Sequence, residues 1–220
     1  MTVAELYGSI LSARYFDLGR EEASYRIQRI GRTMHVLFEW SDGAIDWRHN
    51  LTWLPIRVSL GGVPLHVHRG LYATYLALRE RVMSSLSDAR IGRVLIGGYS
   101  HGAALAALAF AELTDRRRTG QLVVGYGFGA PRVLWGTSAP MLFDGFFTVR
   151  CGTDAVTHLP PQLLGYRHVG ELISLPTPDG GGPFACHAPD AYTEALAHHP
   201  FGERAVFSLA RDGKKISKSG

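Results

Sequence analysis

Cysteine is nearly missing from this 220-residue sequence, which holds only Cys151 and Cys186. Two thiols exclude a disulfide-rich scaffold and a four-cysteine zinc site, and leave room for one bridge at most. Charge is also sparse: 23 Lys plus Arg stand against 19 Asp plus Glu, for a net charge of +4. Apart from Arg116, Arg117 and Arg118 and the basic end from Arg211, the cations are scattered, too thin a footprint for nucleic acid. The Arg triplet reads as a solvated helix end. A long uninterrupted apolar run is lacking as well. Met1 to Leu18 interleaves Glu5, Arg14 and Asp17 with its apolar residues, so neither a signal peptide nor a transmembrane span is expected, and the expected location is cytoplasmic or otherwise soluble. Repeats and low-complexity tracts are lacking too.

What is there suits one compact unit. The hydrophobic fraction of 46% supplies one sizeable core, and the 26 Gly and 11 Pro are dispersed among short turns rather than gathered in a linker. A single domain over 1–220 is expected, with 211–220 a flexible basic tail. Ala4, Leu6, Tyr7, Ile10, Leu11 and Tyr15 recur at helical spacing and predict an opening helix. Tyr25 to Ile30 and Met34 to Trp40 flank Gly31-Arg32, and Ile56 to Leu60 and Val63 to Val67 flank Gly61-Gly62. Both read as hairpins. Leu71, Tyr75, Leu78 and Val82 mark a helix. Strands are expected at Val94 to Gly98, Leu122 to Phe128, Phe146 to Cys151 and Leu172 to Leu175, and helices at Ala103 to Leu113, Pro189 to Ala197 and Gly202 to Leu209. This alternation predicts an α/β fold with a mainly parallel central sheet and helices on both faces.

Gly98-Tyr99-Ser100-His101-Gly102 lies between the buried strand and the helix. A serine hydroxyl is a weak nucleophile, so it needs a sharp turn that exposes it, a base beside it, and donors for the oxyanion that forms. The two glycines remove side chains where strand and helix crowd, and the helix starting near His101 aims its N–H groups at the reacting oxygen. A serine that merely caps a helix after a strand would show the same local pattern. Enzymes with such an elbow place an acid and then a histidine later in the chain. Asp154 fits as the acid, since it follows the strand Phe146 to Cys151 through Gly152-Thr153. Asp144 precedes that strand and would lie at its opposite end, and Asp179 sits in a Gly/Pro-rich loop. Among the histidines, His35 and His66 lie within strands, and His198 and His199 end a helix. His187 follows the Pro176 to Pro183 segment and precedes a helix, so it can fold over the sheet edge toward Ser100. His158 is too near Asp154 to approach from the other side, and His168 reads as a strand-end surface residue.

These residues resemble the class 3 lipase family, the fungal and plant triacylglycerol lipase-like α/β hydrolases. Phe38-Glu39-Trp40-Ser41-Asp42, with Asp46-Trp47 and Asn50-Leu51, looks like the family's Phe-Arg-Gly-Thr/Ser block. Val67-His68-Arg69-Gly70-Leu71, Phe128-Gly129-Ala130-Pro131-Arg132-Val133, Gly152-Thr153-Asp154-Ala155-Val156 with Leu159-Pro160-Pro161, and Tyr166-Arg167-His168-Val169-Gly170 are similar to further family motifs, in order. His187, five residues before Tyr192, is placed like the family's catalytic histidine.

The resemblance implies an α/β-hydrolase fold and a triad of Ser100, Asp154 and His187. It implies an oxyanion hole built from Ser41 and the His101 N–H, and a lid over Asp42 to Thr52 whose Asp42, Trp47 and Leu51 would meet substrate; Tyr99, beside the nucleophile, reads as pocket packing or as a further substrate contact. The sequence departs from the family at Glu39-Trp40, at Tyr99 and at His101, where Arg-Gly, His and Leu are usual. The convergence of the acid and base loops suggests a disulfide between Cys151 and Cys186, against the alternative of two buried thiols. The implied reaction is hydrolysis of acyl glycerides or smaller lipid-like esters, with no metal or cofactor and with transient contact at a membrane surface. A phospholipase or acyltransferase using the same residues is the alternative within enzymes, and a catalytically silent lipid-binding protein is the alternative outside them.

Overall fold

The computed structural model describes residues 1–17, 24–39, 53–88, 90–113, 120–137, 139–177 and 182–208. Its centre is a seven-stranded sheet in the order β1-β2-β3-β6-β7-β9-β11. These strands are β1 (Phe16–Asp17), β2 (Ser24–Ile30), β3 (Thr33–Phe38), β6 (Arg93–Tyr99), β7 (Leu122–Phe128), β9 (Phe146–Cys151) and β11 (Glu171–Leu175). The first three pair antiparallel, and every step from β3 onward is parallel. The sheet is therefore mainly parallel, and the fold is that of an α/β hydrolase.

Helices cover both faces because the parallel strands are apolar on both. On one side lie α1 (Val3–Ser12), α4 (Pro189–Ala197) and α5 (Pro200–Glu203); on the other lie α2 (Arg69–Ser85) and α3 (His101–Glu112). Strand alternation sorts the side chains. Val94 and Ile96 of β6 join the α2/α3 side, whereas Leu95 and Tyr99 join the α1/α4 side. Helix α1 starts with a capping box, in which the Thr2 hydroxyl accepts from the Glu5 N–H and the Glu5 carboxylate accepts from the Thr2 N–H. Its buried Val3, Leu6, Tyr7 and Ile10 form one face at helical spacing. Helix α3 differs, since every residue from His101 to Ala111 is buried, which its run of alanines permits by letting sheet and α2 approach closely.

The second expected hairpin forms, as β4 (Pro55–Leu60) and β5 (Val63–His68), with positive φ at both Gly61 and Gly62 as its two-residue turn requires. It does not join the central sheet. With β8 (Leu134–Trp135) and β10 (Tyr166–Arg167) it makes a separate four-stranded antiparallel sheet in the order β10-β8-β5-β4. The last helix is shorter than the expected Gly202 to Leu209. After α5 the chain turns, because Ala205 bridges Thr2 and the Val206 N–H donates to the Met1 carbonyl, holding this segment against the start of α1. Leu209 and the basic tail 211–220 lie outside the described residues, as do Arg116, Arg117 and Arg118.

Candidate active site

Ser100 joins the end of β6 to the start of α3 with φ +54° and ψ −122°. A non-glycine residue in such a conformation stores on the order of 1–3 kcal/mol of strain that its surroundings must hold. They hold it by close approach. A Cβ on Gly98 would lie 2.2 Å from the Gly102 carbonyl oxygen, and one on Gly102 would lie 2.4 Å from the Glu39 carbonyl oxygen and 2.6 Å from that of Phe38. Both glycines of the elbow are thus required by backbone contact. The second presses the start of α3 against the end of β3. The Ser100 N–H donates to the Phe128 carbonyl, tying the turn to the neighbouring strand. The Ser100 side chain makes no capping bond to α3, which removes the helix-cap reading.

That side chain instead lies with Oγ 2.9 Å from Nε2 of His187. His187 ends a 3-10 turn, Ala185–His187, just before α4, and its Nδ1 is 2.9 Å from Oδ2 of Asp154. A carboxylate can only accept, so Nδ1 carries the proton and Nε2 is left to accept from the serine hydroxyl. Asp154 is fully buried. Its Oδ1 accepts from the Val156 N–H at 2.9 Å, and its Oδ2 also accepts from the Tyr192 hydroxyl at 2.6 Å. Three donors therefore satisfy a charge that would otherwise be costly to bury. Burial, then the Asp154 charge, pushes the Tyr192 hydroxyl well above the usual tyrosine range, so it stays a donor.

Tyr192 was only a position marker in the sequence. Its signal was there: Tyr192, Ala195 and Leu196 form the buried face of α4, and a buried tyrosine needs a partner for its hydroxyl. Gly129 was missed as well. It has φ +62°, and a Cβ there would meet His187 Cε1 at 3.2 Å, Tyr99 Cε2 at 3.2 Å and Asp154 Oδ2 at 3.3 Å.

The rival histidines go elsewhere. The His158 carbonyl accepts from Arg132, and its ring is pushed toward the neutral form by burial and then by Arg132 and Arg150. Burial and the same two cations push His168 down to about 4. Asp144 precedes β9 at the end away from Ser100, and Asp179 lies outside the described residues.

His101 is the first residue of α3, so its backbone N–H sits at the helix start beside Ser100. Ser41, Asp42, Trp47 and Leu51, and so the expected second oxyanion donor and the lid, lie outside the described residues. Of the two readings of Tyr99, packing beside the nucleophile is the one the structure forms, not contact with substrate. Alternation along β6 turns it to the α1 side, where it is 1% exposed beneath His187.

The expected bridge between Cys151 and Cys186 is not formed either. Both are buried thiols. Although their loops converge, the sulfurs turn to separate partners: Cys151 donates toward the carbonyls of Pro176 and Ala191 at 3.5 and 3.7 Å, and Cys186 Sγ lies 3.8 Å from the Thr153 hydroxyl.

A serine on a strained elbow, hydrogen-bonded through an imidazole to a buried carboxylate, can deliver a hydroxyl oxygen to an electrophilic carbon and take its proton away. The model of the lipase (class 3) family matches residues 36–164, more than half of the chain. A secreted mono- and diacylglycerol lipase of Malassezia restricta is 40% identical over 80 residues, covering 34% of this chain and 25% of that protein. A lipase of Rhizomucor miehei is 26% identical over 150 residues, covering 64% of this chain and 41% of that protein. The solved structure of the Rhizomucor miehei triacylglyceride lipase superposes with a TM-score of 0.63 at 23% identity, over 74% of this chain and 65% of that one. The matched stretches thus span well under half of these two curated relatives. Because the Malassezia relative is a secreted enzyme, the expectation of a cytoplasmic location is withdrawn. Among the described residues no helix is long and apolar enough to cross a membrane. The chain belongs to the class 3 lipase family.

Proposed function

We propose that this protein is a serine carboxylic-ester hydrolase that cleaves acylglycerols or smaller lipid-like esters through an acyl-serine intermediate. The observation that carries the reading is the continuous hydrogen-bond chain from Ser100 through His187 to Asp154 on a strained elbow. His187 Nε2 takes the hydroxyl proton as Ser100 Oγ bonds to the ester carbon, giving a tetrahedral oxyanion. The His101 N–H, at the positive end of α3, is placed to donate to that oxyanion, with Ser41 as the second donor implied by the family. Collapse expels the alkoxide, which leaves with the proton from His187. Water then repeats the sequence on the acyl-serine, and Asp154 stabilises the imidazolium in both halves.

The names of the relatives support lipid esters, with mono- and diacylglycerols among them. An exposed apolar side chain beside the site suits contact with a lipid surface: Phe184, three residues before His187, is 83% exposed. The test is initial-rate hydrolysis of p-nitrophenyl esters of rising acyl length, and of mono-, di- and triacylglycerol emulsions, with and without phospholipid vesicles. Short- to medium-chain esters and partial glycerides are expected to be hydrolysed, with activity falling by roughly 10^4-fold or more in Ser100→Ala and His187→Ala. A folded protein that hydrolyses none of these esters contradicts the reading, and phospholipid cleaved in preference redirects it to a phospholipase.

A further inference from the structure

We infer that Tyr99 is a positioning residue for the catalytic base, holding the His187 imidazole through its ring face and the His187 backbone through its hydroxyl; the assignment rests on the hydrolase reading above. The two rings are stacked, with centroids 5.2 Å apart and planes 19° from parallel. The Tyr99 hydroxyl donates to the carbonyl oxygen of His187. Tyr99 is itself fixed from behind, since Tyr7 of α1 and Tyr192 of α4 meet it edge-on at 5.7 and 5.6 Å, and the Tyr7 hydroxyl donates to the Pro189 carbonyl two residues past His187.

His187 needs such support because of where it sits. Its own secondary structure is a three-residue 3-10 turn with little internal hydrogen bonding, and the Asp154 contact alone leaves the ring free to swing about the Nδ1···Oδ2 axis. A stacked face blocks that swing. Gly129, whose φ of +62° already calls for glycine, also leaves room for this contact, because a Cβ there would lie 3.2 Å from both the Tyr99 and His187 rings.

The ring face has a second consequence. When His187 takes the Ser100 proton it becomes a cation, and a tyrosine face within about 6 Å of a cation stabilises it. Tyr99 therefore favours the charge that develops in the transition state through the ring face, whereas Asp154 acts in the ring plane through Nδ1. Burial and the Asp154 charge push the Tyr99 hydroxyl far above the ordinary range, so it remains a neutral donor at every working pH.

Two variants separate the contributions. Tyr99→Phe keeps the face and loses the hydroxyl tether; Tyr99→Leu loses both. The measurements are the rate of fluorophosphonate labelling and kcat/KM on a p-nitrophenyl ester across pH, with thermal melts to show that each variant is folded. Tyr99→Phe is expected to be slower by about 3–10-fold, with the acid limb of the profile unmoved. Tyr99→Leu is expected to be slower by about 30–100-fold, in kcat rather than KM, with the acid limb moved to lower pH by roughly 0.5–1 unit. A folded Leu variant with wild-type rate and limb overturns the assignment. If the Leu variant does not fold, the Phe variant decides, and wild-type rates there overturn the tether. An unlabelled wild-type protein overturns the hydrolase reading and this assignment together, whereas a labelled wild type with an equally fast Leu variant overturns this assignment alone.

Discussion

Tyr192 donates its hydroxyl proton to Oδ2 of Asp154 at 2.6 Å, the same oxygen that meets His187 Nδ1 at 2.9 Å. The carboxylate is thus held by α4, the helix that immediately follows the histidine, so acid and base are positioned by one short segment of chain. Replacing this tyrosine removes a buried hydrogen bond to a charged group and leaves the ring in place. Tyr192→Phe is expected to lose about 1.5–3 kcal/mol of stability and about tenfold in kcat/KM. Denaturant unfolding and steady-state kinetics on the same preparation check both, and an unchanged midpoint would show the bond to be dispensable.

Gly129 lies at the meeting point of Tyr99, His187 and Asp154. In Gly129→Ala a methyl group enters contacts of 3.2 to 3.3 Å at a backbone with φ +62°. The backbone alone costs about 1–2 kcal/mol, and displacement of the imidazole by a fraction of an ångström costs rate in addition. The expected outcome is a loss of kcat larger than the loss of stability accounts for, measured below the melting temperature where the variant is fully folded.

Arg132 is 6% exposed and donates through Nη1 to the carbonyls of His158 and Pro160, which pins the loop that follows Asp154. Arg132→Met preserves the stem and removes the donors. The buried Pro160 carbonyl loses a partner, at about 1–3 kcal/mol, and the half-buried His158 carbonyl loses one at less. A drop in unfolding free energy of that order, accompanied by weaker fluorophosphonate labelling, is expected; labelling without any change would separate this loop from the site.

Stability is expected to fall on the acid side, for a reason that can be assigned to one residue. Burial, with Arg132 and Arg150, pushes His168 down to about 4, whereas an unfolded histidine titrates near 6.5. Between those values the unfolded chain binds the proton and the folded one does not, so stability is full above about pH 6.5 and is lost as pH falls toward 4. The loss is on the order of 3 kcal/mol. His168→Gln should flatten the unfolding free energy over this window, and an unaltered slope would place the proton uptake elsewhere.

On the alkaline side the buried thiol behaves oppositely. Burial first, then Cys186 and Asp154, pushes Cys151 up to about 12. The folded pKa is raised above the unfolded value near 8.5, so this contribution is present below about pH 8.5 and is lost as pH rises toward 12. In the folded protein at pH 8 Cys151 is expected to resist thiol reagents, and unfolding without reductant should release two titratable thiols. None would show the bridge to exist.

Much of this was readable in the residues, and the exceptions have physical causes. Strands such as Leu122–Phe128 and Phe146–Cys151 announce themselves because burial on both faces demands an unbroken apolar run. The elbow is legible because Gly98 and Gly102 must lack side chains. The two-residue strands Leu134–Trp135 and Tyr166–Arg167 carry no periodicity of their own and exist only as partners of Val63–His68 and of each other. That is why the second hairpin was expected and its separate sheet was not. For Tyr99 adjacency to Ser100 left packing and substrate contact both open, and only the distant Tyr7 and Tyr192, which meet it edge-on behind His187, decide for packing. The supporting contacts of Tyr192 and Gly129 join segments far apart in the chain, and spacing within one segment cannot express them.

The central claim is that Ser100, activated by His187, is the nucleophile. It is tested most directly by mapping a fluorophosphonate adduct by peptide mass on the wild type and on folded Ser100→Ala and His187→Ala proteins. The account predicts a single adduct on Ser100 in the wild type, none in Ser100→Ala, and labelling slower by about three to four orders of magnitude in His187→Ala. A folded wild type that takes no label, or one labelled equally fast without His187, would contradict it.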